Sequence, residues 1–234
     1  QGTARALAEA LKKTASLTQV GVGQARVEQV ASNRRILGPD RKVKYTRTSA
    51  TTEARVRAEP EGLIDPWLKT LSFWDGDRPL AALHYYATHP MSYYGDGRVS
   101  KDFCGLARHK RAADDGKVFQ CYFTGCAGNV TAGKYNDGAR ANRPVLRDRV
   151  YTAMKAAWRA SVRHRLTTWE WRVEPVKLPP RVEKRFGDEE SRKVLEDGKA
   201  SEARRGNAAF QLAWRQRLGR PIDLTCLELG PALV

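Results

Sequence analysis

The sequence predicts an α/β (α+β) fold, with mixed β-sheets flanked by helices. Three observations carry that expectation. Segments in which apolar and polar residues alternate are interleaved along the chain with segments of helical period. Two apolar runs, 68–74 and 79–88, are joined by Asp75-Gly76-Asp77, and Asp-Gly between such runs is a strong hairpin signal. Hydrophobic residues make up 41% of the 234, enough to fill a core and too many for a disordered chain.

Residues 3–16 read as an amphipathic helix, with Ala and Leu at helical spacing. Residues 18–30 alternate as a strand does, and Ser32–Arg35 breaks the pattern. The stretch 38–64, punctuated by Pro39, Pro60 and Gly62, reads as an extended excursion. After the hairpin a loop runs from His89 to Ser100. Ser100 suits the N-cap of a helix over 101–113, and Asp102 suits the positive end of its dipole. Residues 118–129 form a buried-strand pattern that ends in a Gly-rich turn. The longest helical pattern covers 143–164, with Pro144 in its first turn. Its Val145, Val150, Met154, Ala157, Trp158 and Val162 share one broad face. Residues 166–179 alternate as a strand, 187–218 form a charged, Ala-rich helical excursion, and 221–230 read as a last strand. No internal repeat and no clean domain boundary appear. The basic helical stretch 181–218 is the best candidate for an insertion.

The net charge is +16, from 42 Lys and Arg against 26 Asp and Glu. Such a balance fits nucleic acid, an anionic membrane surface, or an Arg-rich composition spread over a solvated surface. The basic residues are scattered, which favours the last and leaves peripheral contact with an anionic membrane as the residual reading. No helix-turn-helix, zinc-finger or RNP-like pattern supports nucleic acid. No apolar stretch reaches the roughly 18 residues of a membrane span, and no signal peptide is visible. Cys104, Cys121, Cys126 and Cys226 show no CxxC spacing, so neither a zinc ribbon nor a disulfide scaffold is expected. Cys121 and Cys126 pair only if a turn brings them together; buried free thiols are the favoured reading.

Three segments can carry chemistry. The first is 87–102, where His89 stands at the end of an apolar strand, a common place for ligands and catalytic groups. A neutral imidazole there is either a zinc ligand or a hydrogen-bonded structural residue. His84 lies earlier in the strand and belongs to the core; His109 and His164 lie in basic stretches and are expected at the surface. The second is 123–133, a strand running into three glycines with Asn129 and Thr131, which reads either as a tight turn or as backbone approaching a ligand. It is neither a Walker A loop nor a nucleophile elbow. The third is Ser32-Asn33-Arg34-Arg35, where an Arg at a strand end can hold an oxyanion or a substrate hydroxyl, or simply be a surface charge.

Taken together and in this order, the three segments resemble the N-terminal catalytic domain of the neutral/alkaline (non-lysosomal) ceramidases. The resemblance rests on Asn33-Arg34, then His89-Pro90-Met91-Ser92, then Ser100, Asp102, Gly105 and Ala107, then Gly128-Asn129-Val130-Thr131. It covers about 18–166 and resumes weakly at 221–234, so residues 1–234 are expected to be a partial domain, a fragment of a larger ceramidase-like catalytic domain.

The resemblance implies a zinc-dependent amidase that cleaves ceramide-like lipids to a fatty acid and an amino alcohol. The zinc of that family is held by two His, a Glu and a Tyr, and a zinc-bound water acts on the amide. His89 matches the second His. Arg34 matches an Arg near the substrate head group, and Asn129 and Thr131 would orient head-group hydroxyls. Thr131 stands where many members have Ser. Residues 1–17 hold no His, and the family's Glu and Tyr follow a strand like the one that ends at Val234. The expectation is therefore a fragment that lacks three of four ligands and is inactive alone. The family implies a secreted, periplasmic or membrane-associated protein. The competing readings are a non-catalytic binding module of the same fold and a basic nucleic-acid-binding protein.

Overall fold

The computed structural model describes residues 2–95 and 97–234. The chain divides into two compact units. The first runs to Trp169 and takes in Leu229–Ala232; the second comprises Glu170–Glu228 and Leu233–Val234.

The first unit opens with α1 (Gly2–Leu11), which buries no side chain and leaves Leu7 and Leu11 exposed. Its helix is shorter than the pattern 3–16 predicts. Strand β1 (Gln19–Arg26) follows, then the short strands β2 (Ser32–Asn33), β3 (Arg35–Leu37) and β4 (Val43–Thr46). The excursion 38–64 thus contains β4 and a one-turn helix, α2 (Ala54–Ala58). The hairpin forms as predicted, from β5 (Trp67–Asp75) and β6 (Arg78–Tyr86). Gly76 takes a φ of 57° in its turn, a conformation glycine adopts without penalty.

From β6 the chain enters α3 (Asp102–Asp114) and returns as β7 (Phe119–Thr124), parallel to β6. A parallel neighbour requires such a crossover. The short strand β8 (Val130–Thr131) and the long helix α4 (Asn142–Arg159) come next, followed by β9 (Val162–Arg165). The resulting five-stranded sheet has the order β7-β6-β5-β1-β9. Helices α3 and α4 pack on each other, α4 also lies on β1 and β5, and α3 on β7.

Helix α4 ends five residues before the pattern 143–164 predicts. Val162 fits the helical phase, yet it pairs with Val22 on the edge of β1 and stands exposed, as Val145 does. The buried face consists of Leu146, Val150, Ala153, Met154 and Ala157. Trp158 stacks on Trp74, with ring centroids 5.2 Å apart. The five buried residues of α4 join Leu68, Tyr86, Phe103 and Val130 in one apolar core.

The second unit carries most of β10 (Trp169–Val176) and β11 (Ile222–Leu229), which form a three-stranded sheet with β12 (Ala232–Leu233). Between them lie α5 (Asp188–Glu196) and α6 (Glu202–Gln216), packed on each other through Ser191 and Gln211. The single helical excursion 187–218 is therefore two helices. Ser201 caps the second by accepting from the Arg204 N–H. Among the described residues, no helix is long and apolar enough to cross a membrane.

Candidate functional site

Three segments far apart in sequence meet at one short ladder. Strands β2 and β8 pair antiparallel, with Ser32 opposite Thr131 and Asn33 opposite Val130. The chain leaving β6 reaches the same place. The His89 N–H donates to the Val130 carbonyl at 3.2 Å, and His89 Nδ1 lies 2.7 Å from that same oxygen. A carbonyl only accepts, so Nδ1 carries a proton, and the neutral ring in this tautomer has its lone pair on Nε2. This is the arrangement by which a backbone carbonyl fixes the tautomer of a metal-binding imidazole. The ring is half-buried.

Arg34 adjoins this point. Its N–H donates to the Asn129 carbonyl at 2.7 Å, and its own carbonyl accepts from the Arg47 N–H at 2.8 Å. Its half-buried guanidinium makes no ion pair or hydrogen bond among the described residues. Asn129 Oδ1 is taken by Arg35, through the N–H at 3.2 Å and Nη1 at 3.1 Å. Thr131 has no exposed surface, and its hydroxyl donates to Ser49 Oγ at 2.7 Å. The four predicted site residues thus gather at one ladder, Thr131 within it as a buried tie and His89, Arg34 and Asn129 beside it, the last three carrying the uncommitted polar groups.

Two supports hold this ladder and the loop beside it, and the first, made by Arg47 and Lys134, gave no sequence signal. Arg47 is fully buried and donates to the carbonyls of Asn33, Val56, Glu59 and Pro60. Burial pulls its pKa down from the usual range, against the raising effect of Glu59. Lys134 donates to the Arg57 and Glu59 carbonyls at 3.0 and 2.7 Å. Together the two cations satisfy the carbonyls that α2 leaves open at its C-terminus. They also fasten 53–61 against β2, where the Glu61 carbonyl accepts from the Asn33 N–H.

The second support holds the loop after His89. Asp102, only 8% exposed, accepts from the Ser92 N–H at 3.0 Å and from Arg143 Nη2 at 3.1 Å. Arg143 Nε donates to Ser92 Oγ at 2.8 Å. Helix α3 begins at Asp102 with Lys101 as N-cap, while Ser100 Oγ accepts from the Asp102 N–H at 3.0 Å. Asp102 has a φ of 45°, in the left-handed region that Asp tolerates better than most residues. Ser92 and Asp102, which the resemblance singled out only as motif positions, are thus the two ends of a clamped loop. Arg143 carried no sequence signal, standing among many other arginines.

The remaining histidines fall where they were expected. His84 is fully buried between Thr70 Oγ1 and Gln120 Oε1, each at 2.8 Å, and His109 and His164 are exposed. All four cysteines are free thiols; Cys104 is buried, and burial pushes its thiol pKa up.

No protein-family model matches the chain, and no curated protein sequence matches it. Solved structures do. The crystal structure of neutral ceramidase from Pseudomonas aeruginosa superimposes with a TM-score of 0.54 at 14% identity, over 92% of this chain and 39% of that one. A second structure, a ceramidase complexed with C2, gives a TM-score of 0.48 at 16% identity, over 68% of this chain and 25% of that one. At this level the likeness is one of fold. The mixed α/β architecture, sheets flanked by helices, is that of the neutral ceramidase structure. The chain spans about two fifths of that protein's length.

Zinc can be tested against the residues present. His89 fits in kind, since its Nδ1 is held by a carbonyl and Nε2 is the ring nitrogen left to meet a metal. A complete set does not assemble: among the described residues, no three His, Cys, Asp or Glu side chains gather as a metal site. Among the described residues, His89 alone of the predicted site has the chemistry of a zinc ligand, and no four-ligand cage is present.

Proposed function

We propose that this chain forms part of a zinc-dependent amide hydrolase that cleaves the N-acyl bond of ceramide-like sphingolipids, releasing a fatty acid and an amino alcohol. The observation that carries the reading is the His89 imidazole held by the Val130 carbonyl of the β2–β8 ladder, with Arg34 at the end of that ladder. The fold of the neutral ceramidase structure supports it.

In this reading His89 is a zinc ligand through Nε2. Bound zinc would supply Lewis-acid polarisation of the amide carbonyl and an acidified water. The chain's own contribution is placement. Val130 aims the imidazole and keeps its proton on Nδ1. Arg34 donates to the oxygens of the head group or of the amide. The Asn129 carboxamide, anchored on Arg35, leaves its Nδ2 as a second donor. Thr131 acts from behind, by tying β8 to Ser49. The other ligands come from outside the residues assembled here. The basic surface would favour substrate presented in an anionic membrane.

The test is fatty-acid release from a short-chain ceramide by the complete reading frame that contains this chain. Activity abolished by a chelator and restored by zinc is the expected result. A folded protein that turns over the amide undiminished in chelator would contradict the zinc assignment.

A further inference from the structure

Strand β7 ends the five-stranded sheet on one side: β6 pairs with it, and among the described residues no strand pairs with its other edge. In a parallel pair, every second residue turns its N–H and C=O away from the neighbour, so β7 offers a row of unpaired backbone donors and acceptors. Its sequence, Phe-Gln-Cys-Tyr-Phe-Thr, holds neither the charge nor the proline that ordinarily guards such an edge. Phe119 and Phe123 are 66% and 43% exposed.

Beside this edge runs an open groove of about 400 Å³, within the range of about 300–1,000 Å³ typical of ligand sites. Its far wall is the start of α3, with Lys101, Cys104, Gly105 and Arg108 at helical spacing on one face. Neither the Lys101 nor the Arg108 side chain makes an ion pair or hydrogen bond among the described residues. An edge strand, an adjacent helix and two uncommitted cations form the arrangement in which strand-addition sites take peptides.

We propose that the β7 edge accepts an extended acidic segment of a partner protein as a sixth strand, its carboxylates meeting Lys101 and Arg108. A small anionic amphiphile would fill the groove yet leave the backbone row unpaired. A second copy of this chain would set the same two cations against each other, in a molecule already carrying +16.

The probe is a short capped peptide alternating valine and glutamate, with a valine–lysine peptide as its counterpart, read by fluorescence anisotropy and by amide hydrogen exchange. The glutamate peptide should bind saturably, at least about tenfold more tightly than the lysine one, and the β7 amides should become protected. The double variant Lys101→Glu, Arg108→Glu should reverse the preference, and Phe119→Ser, at an exposed position, should weaken both peptides. Binding that is absent, indifferent to peptide charge or unaccompanied by protection of β7 would overturn the proposal. So would a concentration-dependent dimer that protects β7 without peptide, which would assign the edge to self-pairing.

Discussion

His89 and His84 stand five residues apart, and their partners give them opposite tasks. His89 has one nitrogen on a carbonyl and the other uncommitted. His84 has both nitrogens engaged inside the core, where Gln120 Oε1 accepts and Thr70 completes the ring. Burial lowers the His84 pKa from 6.5 to about 4; the hydrogen bond to Gln120 opposes this and the Arg111 charge adds to it. The folded state therefore binds fewer protons than the unfolded one between those two values, so stability rises with pH across that window. Unfolding by urea should show a loss of about 3 kcal/mol as pH falls from 6.5 towards 4, and His84→Gln should flatten that slope. A strand-end position marked His89 as a site candidate, and a mid-strand position made His84 legible as core. The Val130 carbonyl that distinguishes them chemically lies 41 residues away from His89, beyond any local pattern.

The elements follow local pattern where a period is long and clean, and depart from it where pairing decides. The β5–β6 hairpin announces itself through Asp75-Gly76-Asp77, and β7 through its apolar run. The end of α4 does not, because Val162 continues a helical phase while the edge of β1 takes it and the three residues after it as β9. The two-residue strands β2 and β8 are equally silent, since two residues have no period, yet they assemble the site. The crossing of α4 over β1 rests on Gly23. A Cβ there would lie 2.2 Å from the Ala157 carbonyl oxygen and 2.8 Å from Ser161 Cα, both backbone atoms that cannot swing aside. Gly23→Ala should cost about 1–3 kcal/mol through overpacking, seen as a lowered urea midpoint at unchanged slope. An unchanged midpoint would show that α4 does not bear on β1 at that point.

At the scale of the molecule, fold class was readable from alternation and helical period, and the ordered motifs led to the fold that the Pseudomonas aeruginosa neutral ceramidase structure shares. Composition said less. The 42 basic residues are scattered along the chain; some stand in exposed pairs, such as Arg78–Asp75 and Arg163–Asp77, each worth little to stability, and the excess over acidic residues gives the +16. The site was legible only in part for the same reason: with 42 basic residues, nothing marked Arg47 or Arg143 as the ones that fold inward. The most direct measurement of the central claim is the zinc content and ceramide turnover of His89→Ala beside the parent, both in the complete reading frame. The variant should fold and should lose zinc and turnover together. Zinc and turnover both retained at the parent level would contradict it.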